Sequence, residues 1–218
     1  MTTSSCVRRR HGWFRAFWGL VALATCGFAL AGPGAGRAEE ALPPRVAPQS
    51  ADVFTAKFVK VGFSAAPLPK NMEPGLLTAG VPSAYNSMTI GWYAFGVLWS
   101  KPVANVYVHP DRFTFRYMEK EPLFTVSFYD GDPAARKALM EIFGRKSGRD
   151  CDKEKESGFT PVLTPSGAVT YLEARCVLVC RRMAKVSFND PAFQALPPVR
   201  KTAHTQYTAE VVEVWVRK

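Results

Sequence analysis

Histidine is scarce, with three in 218 residues, and no C-x-x-C pair occurs. A zinc site built from closely spaced Cys and His is therefore not expected. No G-x-G-x-x-G is present, and strand-like runs do not alternate with helical ones, which excludes a doubly wound nucleotide-binding sheet. No internal repeat of solenoid period is found. No Ser or Cys nucleophile sits with His and an orienting acid in a recognisable order, so hydrolase chemistry is not indicated. The first 38 positions contain no acid at all. Beyond them the basic residues are scattered, not clustered with aromatics on one face, so no nucleic-acid partner is expected.

What is present is a globular composition, 47% hydrophobic and 21% charged. Half of the +10 net charge belongs to Met1–Ala38, through Arg8, Arg9, Arg10, Arg15 and Arg37. Arg8 to Arg10 form a positive start, Ala16 to Ala31 an apolar run, and Gly36-Arg37-Ala38 a small-residue site before Glu39. This pattern reads as an export signal over 1–38. Its apolar run is shorter than the ~20 residues of a spanning helix. Arg9-Arg10 suits a twin-arginine route, the general secretory route being the alternative, and Leu23 to Cys26 resembles a lipobox. The expectation is an exported, periplasmic protein that meets the membrane only through an uncleaved signal or a lipid anchor. Residues 39–52, rich in Pro and Ala, read as a flexible leader, and 53–218 as one domain.

Three cysteines lie beyond the signal: Cys151, Cys176 and Cys180. The last two, four apart on a strand, would be ~13 Å apart, too far for a disulfide, whose Cα atoms approach within about 7 Å. They read as buried small residues, with a bridge to Cys151 open in an oxidising compartment.

The domain reads as mainly β. Short apolar runs recur between turn signals: Gly75–Ala79, Ser87–Trp92, Val103–His109, Leu123–Phe128, Ala168–Cys180 and Tyr207–Arg217. A barrel or sandwich with a few helices follows. Asp132-Pro133 caps a helix that stops at Gly144. A shorter helix is expected over Asp111–Glu119 with Asp111 as cap, and a polar turn over Asp150–Ser157.

Three segments offer chemistry. Asn86 to Val103 is apolar and aromatic, opens with Asn86, Ser87 and Thr89, and holds Gly91 and Gly96. That mixture suits either a core strand or the faces and edge of a planar heteroaromatic ring. Lys146, Ser147 and Arg149 crowd around Gly148, where backbone N–H groups, cations and a hydroxyl can cradle a phosphate. Asp111 to Thr114 and Ser127 are further phosphate candidates, and His204, before the final strand, is a ligand contact or a surface residue.

Taken together these segments resemble the flavin reductase-like family, in particular its flavoredoxin branch. Asn86 to Trp92 with Phe95 to Val103 resembles the family's first FMN-contacting strand pair. Val106 to Thr114 followed by Phe124 to Phe128 resembles its next strand–turn–strand, and Lys146 to Lys153 its cofactor-approaching loop. Ala174 to Arg181 and His204 to Glu210 resemble its later strands, so the likeness runs from Gly75 to Lys218. The resemblance implies an FMN-binding split barrel, Greek-key-like, usually a homodimer with FMN near the subunit interface. It places Asn86, Ser87, Met88, Thr89 and Trp92 along the isoalloxazine. Arg112, Thr114, Ser127, Lys146 and Ser147 become phosphate or ribityl contacts, and His204 approaches the ring. The activity it implies is electron transfer from NAD(P)H or a redox protein to a flavin, ferric or protein acceptor. The alternatives are a non-catalytic flavin-binding carrier and a binding module that has lost flavin. His109-Pro-Asp-Arg stands where the family commonly has Arg-Pro-Ser-Arg, and Tyr93-Ala94 replaces smaller residues near the ring. The export signal departs from the family's usual cytoplasmic setting and makes NAD(P)H, a cytoplasmic currency, a less natural donor.

Overall fold

The computed structural model describes residues 45–69, 71, 73–192 and 203–218. The expected signal, 1–38, lies outside the described residues.

The chain forms α1 (Ala51–Lys57), β1 (Phe58–Val61), β2 (Gly75–Val81), β3 (Ala84–Ile90), β4 (Tyr93–Leu98) and β5 (Lys101–Val108). Then follow α2 (Phe115–Lys120), β6 (Leu123–Phe128), and α3 (Pro133–Lys137), which continues as a π-helical segment, Ala138–Phe143. The remainder comprises α4 (Lys153–Ser157), β7 (Pro161–Leu163), β8 (Val169–Tyr171), β9 (Cys176–Ser187) and β10 (Thr205–Arg217).

One antiparallel sheet runs β3-β2-β6-β9-β10-β5-β4, with β1 added to β10. Its two end strands, β3 and β4, are consecutive in the chain and joined only by Gly91 and Trp92, so the barrel is split between them. β4 and β5 meet at a two-residue turn, Trp99-Ser100, where both residues have positive φ (49° and 60°). Such a turn matches the twist of paired strands but favours Asn and Gly, not Trp.

Strand parity divides the core in two. Leu77, Ala79, Ala104, Val106, Phe124, Val126, Phe128, Cys176, Leu178 and Cys180 point into the barrel. Leu76, Val177 and Val179 point outward, beneath Phe54, Phe143, Phe159 and Tyr171. Register shifts in β10 between Thr208 and Ala209 and between Val211 and Glu213 change its phase, so that both Val211 and Val214 face the barrel. Cys176 and Cys180 share the inner face, and all three thiols are free; the bridge from Cys151 is not formed.

The expected helix after Asp132 forms, with the Asp132 carboxylate accepting from Ala135 N–H at 2.9 Å. The other helices start later than expected. α2 begins at Phe115 with Thr114, not Asp111, at its N-cap, and α4 is capped by Asp152. The expected leader, 39–52, is described from 45 onward, and this stretch and the residues just after it make defined contacts. Gln49 pairs with Val162, Tyr85 Oη donates to Val46 O at 2.8 Å, and Phe54 stacks on Phe58 at 4.3 Å. Apolar anchors at Phe54 and Phe58 fix this stretch despite its lack of periodicity.

Candidate functional site

Where β3 forms an end of the sheet, the loop after the π-helical segment folds against it. Ser147 Oγ accepts from Arg149 N–H at 3.1 Å, and Ser147 O accepts from Asp150 N–H at 3.1 Å, closing a tight turn on Gly148. A Cβ at Gly148 would run into Asn86 Oδ1 and come within 2.5 Å of the Arg45 guanidinium, so any larger residue would force these side chains to shift. Asn86 Nδ2 donates to Thr114 Oγ1 at 2.7 Å, which ties β3 to the start of α2.

The pocket between these parts holds about 110 Å³. Asn86, Met88, Thr89, Arg112, Thr114, Lys146 and Ser147 all line it, joined by Arg145, Arg149 and Lys153. Cations and hydroxyls thus outnumber the single acid, Asp111, and the donor set fits a phosphate. The volume is well below the ~300 Å³ at which ordinary ligand clefts begin, so it accommodates a phosphate-sized group and not a whole cofactor. A larger cleft of about 410 Å³ is lined by three acids, Asp130, Asp132 and Glu173, against one cation, Arg217, the wrong balance for an anion.

Lys153 is the residue that the sequence did not single out. Its side chain is buried, and its ammonium donates to Ser87 O at 3.0 Å and Phe143 O at 3.2 Å. Burial pushes its pKa down to about 8, opposed by Cys151 and Glu154 and aided by Arg45 and Arg112. Lys146, by contrast, is exposed and paired with Glu156, whose hydrogen bond raises its pKa.

Beneath the pocket a buried polar chain runs through the sheet. Tyr171 Oη donates to Glu154 Oε1 at 2.6 Å. With its only proton used there, Tyr171 Oη accepts from Ser87 Oγ at 2.6 Å, and Ser87 in turn accepts from Thr78 Oγ1 at 2.9 Å. Burial raises the Glu154 pKa, opposed by the Tyr171 hydroxyl and by Arg45.

This chain and strand parity place two of the expected contact residues, Ser87 and Ser127, away from the pocket. Ser87 points away from the barrel with Thr78, and its hydroxyl is consumed by Tyr171. Ser127 lies on the outer face of β6, fully buried, with Oγ 2.9 Å from Thr170 Oγ1. Neither hydroxyl is offered to the pocket. Thr89 lines the pocket, but its hydroxyl donates to Leu139 O. Tyr93 does not line the pocket. Its ring packs inward 5.4 Å from both Phe95 and Phe128, and its hydroxyl donates to Glu73 O at 2.6 Å.

Trp92 and His204 come together elsewhere. The exposed Trp92 ring lies 4.8 Å from His204, which lies 5.0 Å from His109. Nδ1 of His204 is buried with no hydrogen-bond partner among the described residues. Burial, then His109 and Arg112, push the His204 pKa down. Arg112 is therefore shared, lining the pocket and acting on the aromatic cluster.

The comparisons agree with this architecture. A flavoredoxin from Methanosarcina acetivorans is 21% identical, with TM-score 0.52 over 67% of this chain and 72% of that one. An FMN-binding domain of a flavin reductase-like enzyme from Shewanella baltica OS155 gives TM-score 0.56 at 17% identity, over 73% and 76%. The flavoredoxin of Desulfovibrio vulgaris (Miyazaki F) gives 0.54 at 21%, over 72% and 76%. No curated protein sequence matches the chain. The family model of the flavin reductase like domain matches residues 73–218, and with the split barrel this shows that the chain belongs to the flavin reductase-like domain family.

Proposed function

We propose that the protein is an FMN-dependent oxidoreductase of the flavin reductase or flavoredoxin kind, exported to the periplasm and working as a homodimer. The observation that carries this reading is the cationic pocket around Gly148, lined by Arg112, Thr114, Lys146 and Ser147 on a flavin reductase-like barrel. FMN, when bound, would supply the two-electron chemistry, taking electrons from NAD(P)H or a redox protein and passing them to a flavin, ferric or protein acceptor.

The chain's own residues bind and orient. Arg112, Lys146 and the hydroxyls of Ser147 and Thr114 would hold the phosphate. Asn86 and Met88, on the pocket wall, would meet the ribityl chain or ring edge, while Trp92 and His204 offer an aromatic surface outside the pocket. Arg112 and Lys153 supply positive charge without a proton-transfer role. No side chain acts as a general acid or base in this reading.

The test is a visible spectrum of the purified protein after incubation with FMN and desalting, followed by anaerobic addition of NADH or NADPH. Retained flavin that bleaches supports a reductase, and retained flavin that does not bleach supports a carrier fed by a redox protein. A protein that rejects FMN overturns the proposal. The Lys146→Glu/Ser147→Asp double variant is expected to emerge flavin-free; stoichiometric retention would place the phosphate elsewhere.

A further inference from the structure

We infer that Arg45, which lies upstream of the family-matched region, is a positioning residue that clasps the Gly148 turn into its anion-receiving shape. This rests on the reading of the Gly148 pocket as the FMN phosphate site. Family similarity begins at residue 73, so no matched segment accounts for Arg45.

The guanidinium reaches four groups from three parts of the chain. Nη1 donates to Cys151 O at 3.2 Å and lies 3.6 Å from Glu154 Oε2. Nη2 donates to Gly148 O and, at 3.4 Å, to Asn86 Oδ1. The Arg45 side chain is only 7% exposed and that of Glu154 1%, so these contacts form out of water. A buried guanidinium with carbonyl partners at both ends of a turn fixes the separation of those ends.

The backbone that carries Arg45 is itself held. Val46 O accepts from Tyr85, and Gln49 is hydrogen-bonded on both sides, from its N–H to Pro161 O and from Leu163 N–H to its carbonyl, each at 2.9 Å. The clasp is thus anchored in β3 and β7 and acts on the loop. By occupying Gly148 O and Cys151 O, Arg45 draws the loop carbonyls inward and leaves the face lined by Ser147, Lys146 and Arg112 for an anion. Arg45 does not line the pocket and would not touch the phosphate.

The test uses the full chain and three variants: Arg45→Lys, Arg45→Met, and Arg45→Met with Glu154→Gln. The double variant avoids a buried unpaired carboxylate, which alone could unfold the protein. Dissociation constants are measured for FMN and for riboflavin, which lacks the phosphate. Amide hydrogen exchange over residues 145–151 is measured without flavin. Arg45→Met, alone and in the double variant, is expected to weaken FMN about ten- to a hundredfold, the scale of losing one charge-assisted hydrogen bond to the phosphate. Riboflavin affinity should fall far less than FMN affinity, loop exchange should accelerate, and Arg45→Lys should recover part of the FMN affinity and of the loop protection. Equal loss of FMN and riboflavin overturns the inference, since it signals a general structural role, as does unaltered loop exchange. If the unmodified protein binds both flavins equally, the phosphate reading fails. Loop exchange in the variants then decides the clasp alone, and no acceleration sinks it.

Discussion

The ammonium of Lys153 lies 3.0 Å from the carbonyl oxygen of Ser87 and 3.2 Å from that of Phe143, a buried cation that bridges an end strand of the barrel and the helix beside it. Its folded pKa of about 8 stands below the usual 10.5. Below the folded value the amine is charged in both states, and burying that charge costs stability. As pH rises from about 8 the folded protein sheds the proton while the unfolded chain keeps it, so stability rises, by about 3 kcal/mol in all. The buried thiols oppose this above the free-thiol value of 9.0, because Cys176 is pushed up to about 11. Urea unfolding between about pH 8 and pH 9 should therefore show a positive slope that Lys153→Met abolishes. Identical slopes in the two proteins would exclude Lys153 as its source.

Gly148→Ala should damage the pocket more than its single methyl suggests. The new Cβ would collide with Asn86 Oδ1 and the Arg45 guanidinium, whose hydrogen bonds to each other and to Gly148 O would have to break for either to move aside. Overpacking of this kind costs about 1–3 kcal/mol. Thermal unfolding should register that loss, and FMN retention should fall with it. A variant with unchanged Tm would show that the loop relaxes more easily than its hydrogen bonds imply.

The Trp99-Ser100 turn should be improvable. Both residues hold positive φ, and Trp99 is 73% exposed, so its ring recovers little by packing. Replacing the pair by Asn-Gly is expected to stabilise the protein by about 1 kcal/mol or more, the left-handed penalty being about 1–2 kcal/mol per residue. A lower Tm would mean that the Trp99 ring makes contacts worth more than the strain.

His204 should titrate below the usual histidine range, since burial and the neighbouring His109 and Arg112 all favour its neutral form. Its depressed pKa contributes stability that is present above the unfolded histidine value and lost as pH falls through the folded one. Trp92, 4.8 Å away, reports the proton through its fluorescence. His204→Ala should remove this transition, and His109→Ala should move it upward. A transition that survives His204→Ala would assign it to another group.

Much of the barrel was legible because its strands are short and bounded by turn residues. Leu123–Phe128 was expected and found over the same residues, and Asp132-Pro133 announced its helix. The Gly148 loop was legible because its basic and hydroxyl residues cluster in the chain. The orientation of the site hydroxyls was not legible. β3 and β6 pack on both faces, which erases the polar alternation that would have shown Ser87 and Ser127 turned outward. Arg45 was invisible because its partners lie at least 41 positions away and its own segment carries no period. Lys153 looked like an ordinary surface lysine, since only tertiary packing buries it.

The addition of β1 to β10 sets where the protein can be cut. Residues 58–61 pair with 214–217, and Phe54 meets the edge of the Trp215 ring at 5.3 Å. A polypeptide trimmed to the family boundary at residue 73 would bare that edge of β10, uncover Trp215 and strip the Gly148 loop of its guanidinium. Such a fragment should be sticky and short-lived in solution, whereas one that starts before Arg45 retains every contact described for this segment.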